Sequence, residues 1–83
     1  MTIQTGSTAD HEALAKAVEV SERMERSANL MGDAATYKLA DQAYLRIFPA
    51  ALRCGYSWSN PDTVLVWAKR RLAVLDRQYG RAA

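Results

Sequence analysis

The stretch Ala28-Asn29-Leu30-Met31-Gly32-Asp33-Ala34-Ala35-Thr36-Tyr37-Lys38-Leu39 decides the fold. Glycine tolerates the left-handed backbone that closes a helix, and an aspartate after it accepts hydrogen bonds from the free amides that open the next. Gly32-Asp33 therefore reads as a stop followed at once by a fresh start, the turn of a tight helical hairpin. Upstream, Leu14, Ala17, Val18, Ser21, Met24, Ala28 and Met31 recur at three- and four-residue steps, the period of one helix face. Downstream, Tyr37, Ala40, Ala43, Tyr44, Ile47 and Phe48 gather on one side of a second helix, with Lys38, Gln42 and Arg46 opposite. Leu45 falls outside that stripe.

Working outward, the first helix has a start signal of its own. Ser7 followed three positions later by Asp10 is a capping-box variant, with Thr8 as the alternative N-cap. Its outer face carries Glu12 with Lys16, Glu19 with Arg23 and Glu22 with Arg26, each acid four residues before its base, as on a solvated face. Residues 1–8 read as a flexible tail, and residues 9–83 as a single helical domain.

Pro49 lacks an amide hydrogen and disfavours helix at Phe48, so the second helix is expected to end or kink there. Pro49 to Cys54 then forms a short extra helix closed by Gly55. After a loop from Tyr56 to Ser59, an N-cap at Ser59 or Asn60, Pro61 at the first helical position and Asp62 in the first turn predict a last helix from Pro61 to Tyr79, ending at Gly80. Its main stripe is Val64, Leu65, Ala68, Leu72, Leu75 and Tyr79. With no alternating strand pattern and no repeat, the fold class is all-α, a compact bundle of three main helices plus one short helix.

Composition narrows the function. The chain has 83 residues, 49% hydrophobic and 24% charged, which is an ordinary globular balance with a small core. A net charge of +2 dictates no nucleic-acid or membrane partner, but its distribution is uneven. From Met1 to Arg26 five acids against three bases leave −2, and from Val64 to the end five bases against Asp76 leave +4. Such polarity favours antiparallel packing within one chain or between copies. One cysteine and one histidine supply neither an internal disulfide nor a usual zinc set, so no metal and no cofactor is expected. The chain shows no signal-peptide pattern and no membrane-length apolar run, and a cytoplasmic location is the expectation.

Catalytic constellations are sparse. A nucleophile needs a base and an orienting group, and the only candidates are Cys54 and His11. Cys54 reads as a small apolar residue near a helix end, and His11 as exposed. The acids fall on wet faces or at caps, and the glycines stand alone at helix ends with no phosphate-binding loop. The chain is therefore expected not to be an enzyme.

What remains is binding. Lys69, Arg70 and Arg71 are consecutive and point in three directions around a helix, a collar in which only Arg70 and Arg77 share a face. A nucleic-acid-binding regulator using this basic helix is the alternative reading, weakened by Asp62 at its start and by a loop too long for a helix-turn-helix. Trp67 and Val74 form a ridge set off from the main stripe, with Arg71 between them. Trp58 lies in the aromatic loop, where it either covers the core or makes contacts. Trp and Arg are favoured interface anchors. The leading reading is a helical protein-interaction module, an adaptor, regulator or inhibitor such as a phage or mobile-element inhibitor of a bacterial complex. Its partner is another protein, most simply a second copy, bound through Trp67, Arg71, Val74, Arg70, Arg77 and Trp58.

Overall fold

A computed structural model describes the backbone of residues 7–79 and the side chains of residues 7–75. It holds α1 (Thr8–Met31), α2 (Ala34–Leu45), α3 (Ile47–Arg53) and α4 (Val64–Tyr79), with no strand among the described residues. The all-α class and the helical hairpin are as the sequence leads one to expect. Most of the expected tail lies outside the described residues, as do Gly80 and Arg81. Among the described residues no helix is long and apolar enough to cross a membrane.

The capping chemistry accounts for the first two helices. The Ser7 hydroxyl accepts from the Asp10 amide at 3.1 Å, and the Asp10 carboxylate accepts from the Ser7 amide at 3.0 Å, a closed capping box. The bond from the Ser7 amide to the carboxylate leads the influences that hold the Asp10 carboxyl below its ordinary pKa, with the Ser7 side chain and Arg53 adding to it. At the far end Gly32 adopts φ +70°, and its amide donates to the Ala28 carbonyl at 2.8 Å. A Cβ there would meet nothing within 4 Å, so the dihedral and not crowding is what calls for glycine. Asp33 then accepts from the Thr36 amide at 2.8 Å and opens α2.

Two boundaries differ from expectation. The break between α2 and α3 falls at Arg46, three residues before Pro49. Proline at position 49 has no hydrogen for the Leu45 carbonyl one turn back, and its ring crowds that carbonyl, so the disruption appears upstream. The Arg46 amide is shared between the carbonyls of Ala43 (3.2 Å) and Gln42 (3.3 Å), a tightened final turn. Pro49 itself sits in the first turn of α3. The last helix begins at Val64, not Pro61. The Asn60 side chain accepts from the Asp62 amide at 2.9 Å and makes Asn60 to Asp62 a turn, while the Thr63 hydroxyl accepts from the Val66 amide at 3.3 Å. Thr63 is thus the residue whose side chain serves the first turn of α4.

The core is centred on α3. Ile47, Ala50 and Ala51 of this short helix are buried, along with Leu14 and Val18 of α1, Val64 and Ala68 of α4, Cys54 and Tyr56. Small residues in the middle let α1 and α4 approach it closely. By contrast α2 buries only Ala43 and rides on the outside. On α1 the stripe holds through Leu14, Val18, Ser21 and Ala28, but Met31 is exposed at the hairpin tip. His11, expected outside, is buried. It lies three residues before Leu14, on the same face, and the end of α3 reaches that end of α1 through Arg53 and Asp10. Of the expected pairs on the outer face Glu19 with Arg23 is formed at 3.6 Å, while Glu22 reaches across to the Lys69 ammonium at 3.0 Å.

Candidate interaction surface

Four aromatic rings meet where α3, the following loop and α4 converge. Trp67 projects from the first turns of α4 and packs edge-to-face on Tyr56, with centroids 5.3 Å apart. Tyr56 is buried, and its hydroxyl donates to the Asp62 carbonyl at 3.3 Å, pinning the loop to the start of α4. Phe48 stands edge-on to Tyr56 at 6.3 Å and to Tyr44 at 5.8 Å. Trp58 closes the series, stacked on Phe48 at 5.0 Å with the planes 23° apart. Gly55, at φ +107°, reverses the chain after α3, and the Tyr56 amide returns to the Ala51 carbonyl at 2.9 Å. That reversal is what lays Trp58 back over Phe48.

The stack is only half enclosed. Trp58 keeps 68% of its surface in solvent, although one face rests on Phe48. Leu45 stands three residues before Phe48 and Leu52 four residues after it, and they remain 60% and 40% exposed. Arg46 keeps right-handed helical dihedrals, so the face continues through the break from α2 into α3. Leu45, Phe48 and Leu52 therefore share one side of the α2–α3 segment, and Trp58 lies against its Phe48. Exposed leucines are unremarkable singly, and it is contiguous apolar patches that are common at association surfaces. The α2 stripe leaves out both Leu39 and Leu45, and both are exposed, so the sequence alone does not distinguish Leu45.

The other sequence-derived candidates are divided. Trp67 is partly buried against Tyr56 and the core, so the ridge it was expected to share with Val74 is the wide edge of the core at position 67. Val74 stays 44% exposed. Arg71 is partly buried, and its Nε has no hydrogen-bond partner among the described residues. Arg70 holds the Asp62 carboxylate at 2.9 Å, and Lys69 holds Glu22. The side chain of Arg77 lies outside the described residues. Two members of the basic collar thus already face carboxylates, which lowers what they offer to a phosphate backbone.

Cys54 and His11 are both in the interior. Burial pushes the Cys54 thiol above its ordinary pKa, the Asp10 carboxylate adds to this, and Arg71 and Arg53 oppose it. Cys54 is thus a buried thiol packed in the core. His11 carries a buried Nε2 with no partner among the described residues. Asp10 is bound instead to Arg53, at 3.1 Å, which ties the end of α3 to the start of α1.

Searched against known proteins, the chain matches no family model, and no curated protein or solved structure is significantly similar to it.

Proposed function

We propose that this chain is a small, non-enzymatic, helical protein-interaction module that acts by occupying a partner's surface, as an adaptor, regulator or inhibitor, with a second copy of itself as the simplest partner. The observation that carries the reading is Trp58, braced from behind by Phe48 and by Tyr56, itself packed on Trp67, yet exposed on its outer face. A rigid, pre-positioned indole loses little conformational freedom on binding, which is why such residues dominate interface energetics. Leu45 and Leu52 extend the apolar contact, and Val74 with Arg70 and Arg71 supplies a more polar margin on α4. The nucleic-acid alternative has less support, because Lys69 and Arg70 are engaged by Glu22 and Asp62.

The test is differential affinity capture from the native host with the wild-type chain and Trp58→Ser as paired baits. Trp58→Ser loses the stack on Phe48 and the edge contact with Tyr56, about 0.5–1.5 kcal/mol each, and because most of the ring is in solvent its circular dichroism is expected to stay close to wild type. At least one protein, a native copy of the chain included, is expected to be enriched by the wild type and lost with the variant. Identical captured sets from both folded baits would contradict the reading.

A further inference from the structure

We infer that the groove between α1, α2 and the start of α4 seats an arginine side chain of a partner protein. This goes beyond the Trp58 surface to a separate site, and rests on the chain's being a protein-interaction module. The groove has a volume of about 370 Å³, at the low end of the range of sites that take a small ligand or one long side chain. Its apolar lining is Tyr37 and Tyr44 from α2 with Ala40 between them and Leu65 from α4. Its charged lining is Glu25 from α1 and Asp41 from α2, with no basic residue among those that line it. Both acids are exposed, and neither has an ion-pair partner among the described residues, although Glu19 and Glu22 nearby on α1 do.

Charge complementarity selects the occupant. Two carboxylates flanking an apolar lining of two phenol rings favour a cation carried on an aliphatic stem. The stem covers the apolar lining while the charged head meets the acids. Arginine fits better than lysine, because its planar guanidinium both stacks on aromatic rings and presents several donors in a fixed fork. The geometry is held in advance: the Tyr37 hydroxyl donates to the Asn29 side chain at 3.4 Å, linking α1 to α2 across the groove, and the Tyr44 ring is braced edge-on by Phe48.

The experiment uses the isotope-labelled full chain and two capped alanine-based helical peptides, one with a single central arginine and one with citrulline, its neutral isostere, in the same place. The arginine peptide is expected to shift the amide resonances of Tyr37, Ala40, Asp41 and Leu65, and the citrulline peptide to bind at least about tenfold more weakly, since charge-assisted hydrogen bonds are about twice as strong as neutral ones. Glu25→Gln with Asp41→Asn should weaken the arginine peptide by about tenfold or more, with helicity and melting unchanged because both positions are exposed. Trp58→Ser should leave the groove's affinity intact, so failure at either surface is distinguishable from failure at the other. Equal affinity for the two peptides, insensitivity to the double substitution, or no shifts in the groove at millimolar peptide would overturn the proposal.

Discussion

Trp67→Glu is expected to unfold the domain and not merely to alter what it binds. A chain of this length has a total stability of about 4–12 kcal/mol at typical per-residue values. Removing a packed tryptophan costs about 3–5 kcal/mol, and a partly buried ring belongs toward the lower end of that range. The substitution adds a carboxylate against Tyr56 and the core, where it loses solvation that Arg71, one turn on, repays only in part. Together these remove most of the stability, and thermal circular dichroism is expected to show the helical signal lost or its midpoint far below that of wild type. A variant that melts near the wild-type temperature would place Trp67 on a free ridge, as its spacing from the main stripe of α4 alone suggests.

The second large effect concerns the helical hairpin. A chain ending after Phe48 retains α1 and α2 but discards Ala50, Ala51, Cys54, Tyr56, Val64 and Ala68, the greater part of the central core. What remains is Leu14, Val18 and Ile47, newly exposed, and an outer helix that buries only Ala43. Isolated amphipathic helices of this length are marginal without tertiary burial. The fragment from Ser7 to Phe48 is expected to show low helicity and a gradual, non-cooperative melt. A sigmoidal transition in the fragment would show that α3 and α4 are appendages to an independent hairpin.

The start of α1 and the hairpin turn were legible because their chemistry is local. Ser7 with Asp10, and Gly32 with Asp33, act within four residues, and no distant part of the chain competes with them. The errors came where one signal had two placements. Pro49 marks a break, but proline disrupts the carbonyl one turn upstream, so the break is at Arg46. Asn60 and Pro61 suit a helix start and a turn equally well, and the Thr63 hydroxyl settled the start of α4 at Val64. His11 reads as exposed when the stripe begins at Leu14, but the same period reaches back to position 11, where the residue is buried. Trp67 shows the limit of periodicity more directly. Its angle from the main stripe is real, but Tyr56, brought back by the turn at Gly55, covers it, and that contact between positions 56 and 67 depends on a loop path that no helical period encodes. The exposed face of Leu45, Leu52 and Trp58 had the same character, since it exists only once the loop folds Trp58 over Phe48.

The central claim is that the Trp58 face is an association surface, and sedimentation equilibrium on the wild type and Trp58→Ser, from low micromolar to submillimolar concentration, tests it most directly. The wild type is expected to approach the mass of a dimer as concentration rises. An interface tryptophan contributes about 2 kcal/mol or more, so Trp58→Ser should weaken association by about thirtyfold and remain largely monomeric, with its helicity retained. A wild type that stays monomeric throughout would rule out the second copy as the partner, and a variant that dimerises as well as the wild type would contradict the claim that Trp58 lies in the contact.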